Sequence, residues 1–357
     1  MNEKARVIAF HLPQFHPTPE NDRWWGKGFT EWTNVARARP LFPGHYQPHI
    51  PADLGFYDLR LPEARAAQAS LAREHGIEGF CYYHYWFGGR RILERPVDEI
   101  LSSKEPDFPF CLCWANHSWN TAWQGTSETL IEQTYPGRDD HAAHFDWLLR
   151  AFSDPRYLRL DGKPIFVIYK PDDIPQIRQL TEFWRRRATT AGLPGLHLIG
   201  VSHRDEAWDP RTRGLDASTM QALPRRDGRI PRRYLSTKLR LLLAGNRHEL
   251  TIWDYAEVMP MLLRVNPPPW PDHPMVLPNW DNTPRSGMRG IVFHDATPER
   301  VRGVLRKAVE QLGNRPPQHR ILFLKAWNEW AEGNHVEPDQ KWGRGWLEVI
   351  RDEILHP

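Results

Sequence analysis

The stretch ILFLKAWNEWAEGNHVEPD, residues 321–339, joins an apolar run to a pair of carboxylates. Residues 321–326 have the length and composition of a buried strand, and the chain turns polar directly after them. Glu329 and Glu332 therefore fall where a strand ends. In an extended chain residues i and i+3 face opposite sides, so the two acids can share a substrate only if the chain turns between them.

A solvated pair of acids after a buried strand is the simpler interpretation of Glu329 and Glu332, because exposed carboxylates are common. Trp327 and Trp330 flank the first acid, however, and Asn328 adds a further polar group. Polar groups that converge within an aromatic wall are typical of a ligand cleft. Indole rings also suit the apolar faces of sugars, and they raise the pKa of a carboxyl group by excluding water.

Composition narrows the class of ligand. The formal net charge is +3, from 47 basic and 44 acidic residues, so nucleic acid is not indicated as a partner. The chain contains 17 Trp and 33 Pro, which suits long structured loops with aromatic platforms over a scaffold. An oligosaccharide or polysaccharide is the ligand that this composition favours.

The cysteines Cys81, Cys111 and Cys113 lie inside apolar runs, and their odd number excludes a fully paired disulfide framework. We expect them to be reduced and buried. The apolar run before His11 is too short for a secretory signal, and no run approaches the length of a membrane span. The sequence therefore predicts a cytoplasmic protein that does not span a membrane.

Short apolar runs alternate with helical patterns along the chain. The predicted strands are residues 6–12, 79–87, 109–117, 164–170, 196–202, 217–222, 275–281 and 321–326, and the predicted helices are residues 62–75, 141–152, 174–191, 255–264, 298–312 and 342–355. Such β/α units close most naturally as a barrel, so we predict an α/β fold, a single (β/α)8 TIM barrel domain over residues 1–357. An open doubly wound sheet is the alternative, but the first turn lacks the glycine pattern expected there.

Polar and aromatic residues follow each predicted strand, and in a barrel these endings meet at the C-terminal face, where active sites lie. We expect this face to carry long loops, and the segments FHLPQFH, YHYWF, WANHSWN, VIYKPDD, NWDNTPR and WNEWAEG to surround one cleft there. The residues predicted to bind substrate are His11, Trp25, Glu31, Tyr83, His84, Trp86, Trp114, Asn116, His117, Trp119, Tyr169, Trp280, Asp281, Asn282, Arg285, Trp327 and Asn328.

The segments GFTEW, GFCYYHYWF, WANHSWN, NWDNTPR and WNEWAEG, in this order, resemble those of WbsX-type proteins, which are similar to glycoside hydrolase family 99. The resemblance covers nearly the whole chain. It implies a retaining endo-α-mannosidase-like enzyme on a (β/α)8 barrel, although WbsX-type proteins occur with polysaccharide-assembly enzymes and are often described as glycosyltransferases.

The resemblance also assigns roles to the two acids. Glu329 would act as general base on the 2-hydroxyl of the sugar, so that this oxygen displaces the leaving group and forms a 1,2-anhydro sugar. Glu332 would protonate the departing oxygen and later activate water. Substrate-assisted routes of this kind are known exceptions to the usual pair of nucleophile and acid. They require one ionised and one protonated carboxyl group.

Histidines raise two further questions. The relatives usually have a glutamate where this chain has His117. One interpretation is that this protein differs from them in the sugar that it binds or in its anomeric preference. The other is that His117 is a plain hydrogen-bonding loop residue. A metal site built from His11, His16, His84 and His117 is an alternative, but no metal-binding spacing appears and paired acids need no metal. We therefore predict neither a metal nor a cofactor.

Two other segments have simple interpretations. The H-A-A-H segment at residues 141–144 is expected on a solvated helix face. The basic segment 225–247 is interpreted as a solvated insertion, with a polyanion site as the alternative.

Three functional hypotheses follow. The first is a retaining glycoside hydrolase or transglycosylase that acts on an α-linked bacterial oligosaccharide or polysaccharide. The second is a nucleotide-sugar-dependent glycosyltransferase of surface polysaccharide (O-antigen) biosynthesis, for which the sequence shows no D-x-D segment. The third is a carbohydrate-binding barrel without catalytic activity, which would keep its affinity when Glu329 or Glu332 is replaced.

Overall fold

The computed structural model describes residues 4–121, 128–203, 205–231, 234 and 250–355. Parallel strands form its central sheet, and we number them in chain order. They are β1 (Arg6–His11), β2 (Ile77–Phe87), β3 (Phe110–Trp114), β4 (Lys163–Ile168), β5 (His197–Ser202), β6 (Ala217–Met220), β7 (Met275–Val276) and β8 (Ile321–Leu324). Hydrogen-bonded neighbours follow the order β6, β5, β4, β3, β2, β1, β8, β7.

This order is that of a barrel, because each strand pairs with its neighbours in the chain and β1 pairs with β8. The ring closes between β6 and the residues just before β7, where Ser218 bridges Asp272. There the Ser218 amide donates to the carbonyl of Pro271 at 3.0 Å, and the amide of His273 donates to the carbonyl of Ser218 at 2.8 Å. The predicted (β/α)8 barrel is confirmed, and the open doubly wound sheet is wrong.

Helices cover the outside of the barrel and the loops at its C-terminal end. The α-helices are Pro19–Trp25, Glu31–Arg37, Pro62–Glu74, Arg95–Ser103, Arg138–Phe152, Ile177–Thr190, Tyr255–Val258, Thr283–Ser286, Pro298–Leu312 and Gly345–Leu355. Short strands outside the barrel are Arg90–Ile92, Trp119–Asn120, Thr129–Ile131, Arg159–Leu160, Thr251–Asp254, Ile291–His294, Asn328–Glu329 and Asn334–His335.

Helix Pro298–Leu312 illustrates how the sequence specifies these elements. The hydroxyl of Thr297 accepts a hydrogen bond from the amide of Arg300 at 3.3 Å, and a proline occupies the first turn, where its missing N–H costs nothing. The residues that face the barrel recur at helical spacing: Val301, Val304, Leu305, Ala308 and Leu312 are buried. The helix ends before Gly313, whose φ of 53° suits glycine.

Several predictions about individual residues are tested by the structure. Cys81, Cys111 and Cys113 are free thiols and buried, as expected. The prediction that H-A-A-H is solvated is wrong for His144, which is fully buried between the barrel and its helix layer. Within the basic segment 225–247, residues 232–233 and 235–247 lie outside the described residues.

Among the described residues, no helix has the length and the continuous apolar surface that crossing a bilayer requires.

Candidate active site

The two acids lie on a tight turn after β8. Asn328–Glu329 pairs with Asn334–His335 as a short antiparallel ladder, and a 3-10 helix, Trp330–Glu332, joins the two. Gly333 closes the turn with a φ of 54°, in the left-handed region. The chain thus turns between Glu329 and Glu332, and their side chains share a hydrogen bond.

Neighbouring strand ends hold this turn in place. The amide of Asp281 donates to the carbonyl of Glu332 at 2.6 Å. The side-chain oxygen of Asn328 accepts from the amide of Leu12 at 2.7 Å, and its Nδ2 donates to the carbonyl of Leu12 at 3.0 Å. A side chain at position 333 would meet the Cβ of Asp281 at 2.8 Å, so glycine is required there. The turn is therefore fixed from both sides.

Glu329 is buried beside a lysine. The Nζ of Lys325 donates to both carboxylate oxygens of Glu329, at 2.8 and 2.9 Å, and to the hydroxyl of Tyr83 at 2.9 Å. Burial raises the pKa of Glu329, but the charge of Lys325, the hydrogen bond with Glu332 and the charge of Arg285 together lower it to about 2. Glu329 is ionised at neutral pH.

Glu332 has the opposite protonation state. Burial raises its pKa and the neighbouring Glu329 raises it further; although Arg285 opposes them, the pKa rises to about 8. The guanidinium of Arg285 donates through Nη1 to Oε1 of Glu332 at 2.6 Å, and through Nη2 to Oε1 of Glu31. Glu31 is itself buried and also accepts from the amide of Ala331 at 3.2 Å.

The pair thus consists of one ionised and one protonated carboxyl group at the same pH. A base and an acid with separated pKa values are what general acid–base chemistry at a glycosidic bond requires. Lys325 is the main cause that lowers the pKa of Glu329, and burial is the main cause that raises the pKa of Glu332, although Arg285 opposes it.

A cavity of about 360 Å³ opens in front of the two acids. Its wall consists mainly of aromatic and amide-bearing or hydroxyl-bearing residues from the loops that follow several strands. The lining residues are Leu12, Gln14, Trp25, Phe29, Glu31, Asn34, Tyr83, Tyr85, Ala115, His117, Ser118, Trp119, Asn120, Leu130, Tyr169, Asn282, Arg285, Ser286, Lys325, Glu329 and Glu332. Aromatic surfaces with convergent polar groups are typical of a small-molecule or sugar site.

The structure brings about half of the residues predicted from the sequence into this cavity. Besides the two acids these are Trp25, Glu31, Tyr83, His117, Trp119, Tyr169, Asn282 and Arg285.

Strand alternation keeps His84 and Trp86 out of the cavity. Successive side chains of β2 point to opposite faces, so Tyr83 and Tyr85 line the cavity while His84 and Trp86 face the helix layer. There Nε2 of His84 lies 2.9 Å from Nε2 of His144, and the ring of Trp86 stacks on His144 with centroids 4.6 Å apart. Tyr83 and Tyr85, rather than His84 and Trp86, therefore form this part of the cavity wall.

His11, Trp114 and Asn116 also belong to the scaffold. His11 is buried with Nε2 3.2 Å from Oε1 of Gln68, and burial lowers its pKa to about 3. Trp114 is fully buried and donates to the carbonyl of Trp86 at 3.2 Å. Asn116 ties the end of β3 to the end of β4, since it exchanges hydrogen bonds with the backbone of Lys170 at 2.7 and 2.8 Å.

Trp327 and Asn328, which flank the first acid, are likewise buried behind the cavity. Trp280 and Asp281 line a second, smaller cavity. The carboxylate of Asp281 accepts from Nε2 of His45 and from Nε2 of Gln47, each at 2.6 Å. None of these four residues lines the cavity in front of the acids, and Asn328 and the amide of Asp281 instead form hydrogen bonds that hold the turn.

Sequence reasoning missed Lys325 and Tyr85. A lysine within the otherwise apolar run ILFLKAW was the available signal for Lys325, because a buried lysine requires a partner. The signal for Tyr85 was its two-residue spacing from Tyr83 on one strand. Gln14, Phe29, Asn34, Ser118, Asn120 and Ser286 also line the cavity, and no spacing in the sequence distinguishes them.

His117 occupies the cavity wall beside Tyr169, with ring centroids 5.7 Å apart. Burial lowers its pKa to about 4, and Lys170 and His203 lower it further in the same direction. The imidazole is therefore neutral at physiological pH. At this position it offers a substrate hydroxyl both a donor and an acceptor, where a glutamate would offer acceptors and a charge.

The four histidines considered as an alternative metal site are not the potential metal ligands that the structure brings together. Among the described residues, one set of histidine and acidic side chains, His49, His335 and Asp339, brings its ligand atoms within 4.8 Å of one another. The histidines His11, His16 and His84 belong to separate buried contacts, and His117 lies in the first cavity.

The fold and this site define a (β/α)8 barrel with a pair of carboxyl groups at the C-terminal face of the strands. The sequence profile of the family described as "Glycosyltransferase WbsX" matches residues 7–350. The chain belongs to this family, which confirms the resemblance and places it among carbohydrate-active enzymes.

Relatives of known sequence include two proteins named "Uncharacterized protein WxcX" from Xanthomonas campestris pv. campestris, strains B100 and ATCC 33913. Each is 40% identical over 352 residues, which cover 98% of this chain and 50% of the relative. The chain thus spans about half the length of the curated relatives it matches.

Solved structures share the fold at low sequence identity. A "Glycoside hydrolase-like protein" has a TM-score of 0.60 at 15% identity, covering 99% of this chain and 94% of the other. The GH99 endo-alpha-mannosidase from Bacteroides thetaiotaomicron has a TM-score of 0.54 at 16% identity, covering 98% and 95% of the two chains.

Proposed function

We propose that this protein is a retaining glycoside hydrolase or transglycosylase that cleaves an α-linked bacterial oligosaccharide or polysaccharide, as an endo-α-mannosidase does. The observation that carries the proposal is the split protonation of the two acids on one turn, with Glu329 ionised beside Lys325 and Glu332 protonated beside Arg285. The cavity of about 360 Å³ in front of them has room for a sugar unit. We further propose that residues 1–357 act as one catalytic domain.

In the proposed mechanism Glu329 takes the proton of the substrate's 2-hydroxyl. The resulting oxygen attacks the anomeric carbon and displaces the leaving group, so that a 1,2-anhydro sugar forms. Glu332 gives its proton to the departing oxygen. In the second step the deprotonated Glu332 takes a proton from water or from an acceptor sugar, and Glu329 returns its proton to the 2-oxygen as the three-membered ring opens.

Three further features support this assignment of roles. Lys325 keeps Glu329 ionised before substrate binds, and its ammonium group stabilises negative charge near the 2-oxygen. The indoles of Trp25 and Trp119 offer apolar surface in the cavity wall. Asn282 lies in the same wall as Arg285, and its Oδ1 accepts from the amide of Ile291 at 2.7 Å, which leaves the amide nitrogen to orient hydroxyl groups.

A substrate without the 2-hydroxyl tests the mechanism directly. A 2-deoxy analogue of a turned-over α-linked substrate should be inert, because Glu329 then has no proton to remove. The measurement is the rate of each substrate by mass spectrometry with the same enzyme sample. Comparable turnover of the 2-deoxy analogue would refute the neighbouring-group role and leave a directly attacking carboxylate as the explanation.

Glycosyl transfer from a nucleotide-sugar in surface polysaccharide biosynthesis is a second candidate, favoured by the description of the family. The two functions separate in one screen of the purified protein against bacterial surface oligosaccharides, with and without nucleotide-sugars. We expect products without any nucleotide-sugar. Products that appear only when a nucleotide-sugar is added would favour the transferase.

A carbohydrate-binding barrel without activity is the third candidate. The variants E329Q and E332Q distinguish it from the two enzymatic candidates. For a binding protein, both variants would bind sugar as wild type does. Neither variant nor wild type would form a product.

A further inference from the structure

A second cavity of about 160 Å³ lies on the other side of the catalytic turn. Residues 44–49, which follow the helix Glu31–Arg37, form one wall, and residues 333–342 form another. Three potential metal ligands meet at its edge: His49 and Asp339 line the cavity, and His335 lies next to them on the short strand Asn334–His335. The proposed glycosidase mechanism uses none of these three side chains.

Their geometry suits a tetrahedral metal ion. The Nδ1 of His49 is 2.9 Å from Nε2 of His335, and Nε2 of His335 is 3.9 Å from Oδ2 of Asp339. Two ligand atoms bound to the same zinc ion at its usual bond lengths are about 3.4 Å apart, so both distances are within about half an ångström of that value. Small side-chain rotations would bring all three atoms onto one ion.

The surroundings of the Asp339 carboxylate also indicate a bound cation. Its Oδ1 accepts from the backbone amides of Lys341 and Trp342, at 2.8 and 2.7 Å. Its Oδ2 is buried and has no hydrogen-bond partner of normal geometry among the described residues, although the hydroxyl of Tyr46 lies near the same carboxylate. The hydrogen bond between Nδ1 of His49 and Nε2 of His335 provides no donor to this oxygen. A buried carboxylate oxygen without a donor is costly, and a bound cation removes that cost.

The surroundings favour a cation in two further ways. The Nδ1 of His335 lies 3.0 Å from the carbonyl of Glu337, which fixes the ring so that the lone pair of Nε2 points toward His49 and Asp339. Asp281, whose carboxylate lies in the wall of the same cavity, supplies a second negative charge. Two histidines and one carboxylate around a partly open position are a ligand set typical of zinc, with a water molecule from the cavity as fourth ligand.

We propose that His49, His335 and Asp339 bind a divalent cation of the zinc type, which joins residues 44–49 to the segment that carries the catalytic turn. His335 stacks on Trp330, with ring centroids 3.7 Å apart and planes 12° from parallel. Trp330 belongs to the 3-10 helix that ends at Glu332. The ion is thus structural, and it stiffens the turn from the side opposite the sugar.

The first experiment uses the full chain, purified without a histidine tag and without chelator. Elemental analysis should find about one zinc ion per chain. Removal of the ion with a chelator should lower Tm by several degrees, and added Zn²⁺ should restore it. Co²⁺ added to the metal-free protein should give the visible absorption bands of a low-coordinate site. Absence of bound metal together with an unchanged Tm in Zn²⁺ would overturn the proposal.

Variants locate the ion. D339N keeps the oxygen that accepts from Lys341 and Trp342 but removes the negative charge, and it should lose the bound zinc and the Tm response to Zn²⁺. H49Q should do the same, which covers the case that D339N fails to fold. The matched control is H197Q, because His197 and His273 form another buried histidine pair, with Nε2 atoms 3.3 Å apart, outside this cluster.

H197Q should keep the zinc and the full Tm response. If D339N and H49Q both retain zinc as wild type does, the ion is bound elsewhere and the assignment is wrong. Because these readouts are metal content and Tm, they are independent of whether the protein proves to be a glycosidase.

Discussion

Two buried polar clusters lie on opposite faces of the segment after β8, and they differ in what their groups do. The front cluster comprises Glu31, Arg285, Lys325, Glu329 and Glu332, all of which line the cavity. It consists of three carboxyl groups and two cations. The side chains of Glu332 and Arg285 keep 18% and 21% of their surface exposed, so substrate can reach them.

The rear cluster comprises Tyr57, Gln68, Asn328, Trp330 and Glu337, all buried. It is held by hydrogen bonds, three of which converge on the carboxyl group of Glu337. The carboxyl of Glu337 accepts from Tyr57 at 2.9 Å, from Gln68 at 2.7 Å and from Trp330 at 2.6 Å, and Nδ2 of Asn328 donates to the hydroxyl of Tyr57 at 3.1 Å.

The difference shows how one segment separates chemistry from positioning. In the front cluster, burial and the charges of neighbouring groups give Glu329 and Glu332 unequal pKa values. Behind, the donors around one carboxyl group are matched to its acceptors, and Trp330 is held in place. Substitutions in front should change the reaction, and substitutions behind should change stability.

The largest expected effect is that of E329Q. Loss of the base should lower kcat/KM by about 10⁴-fold for every substrate, including those with activated leaving groups, because an activated leaving group does not replace the base. The measurement is a rate comparison on an aryl glycoside and on a natural linkage. If E329Q cleaved the aryl glycoside as fast as wild type does, the role of general base assigned to Glu329 would be wrong.

E332Q should have a smaller and more selective effect. Substrates with poor leaving groups should lose about 10³-fold in rate, whereas activated ones should be spared in the cleavage step, because they depart without protonation. In wild type, the rate on poor leaving groups should fall as pH rises through about 8, where Glu332 loses its proton. E332Q should lack this high-pH limb. A limb that persists in E332Q would mean that another group supplies the proton.

E337Q tests the rear cluster through the pH dependence of stability. Burial raises the pKa of Glu337 to about 7, against the hydrogen bonds from Trp330, Gln68 and Tyr57, which lower it. A carboxyl with a raised pKa in the folded state holds its proton more tightly there, so its stabilisation is present at low pH and is lost as pH rises from 4.5 toward 7.

The free energy of unfolding of wild type relative to E337Q should therefore fall by roughly 3 kcal/mol over that range. Urea unfolding of both proteins at several pH values measures it. A constant difference would show that Glu337 does not titrate in this range in the folded protein.

The smallest effect on activity is expected for substitutions of two tryptophans, Trp119 and Trp280. Trp119 lines the front cavity, whereas Trp280 is 4% exposed and lies behind it. W119A should raise KM about tenfold, equivalent to about 1.4 kcal/mol, with an unchanged Tm. W280A should lower the free energy of unfolding by about 3–5 kcal/mol, as large buried truncations do, and change KM less. An unchanged Tm in W280A with weaker binding would return Trp280 to the sugar site.

The sequence was sufficient to predict the barrel because the pattern that marks each strand lies within a few consecutive residues. Each barrel strand was found near its observed position, since an apolar run ending in polar residues marks a parallel strand in this fold. Strand β7 was predicted over residues 275–281 but ends at Val276, because the residues after it leave the sheet and bind the loop of residues 44–49.

Glu329 and Glu332 were predicted together with the turn between them, which the structure shows, whereas about half of the residues predicted to bind substrate lie outside the cavity in front of the acids. The segment GFCYYHYWF is apolar or aromatic at nearly every position, so its pattern does not reveal which alternate residues face the cavity. Tyr83 and Tyr85 point inward, and His84 and Trp86 point outward, because register and the helix layer decide this. His144, Lys325 and the cluster around Asp339 depend on contacts between distant segments.

Position 333 tolerates almost no residue other than glycine. Every residue that a single base change could introduce there would add at least one carbon atom, and that atom would press on the Cβ, the amide and the carbonyl of Asp281 at 2.8, 2.9 and 3.0 Å. The same amide of Asp281 holds the carbonyl of Glu332. A random mutagenesis library selected for activity should therefore return glycine at this codon, even where exposed positions elsewhere in the chain have drifted.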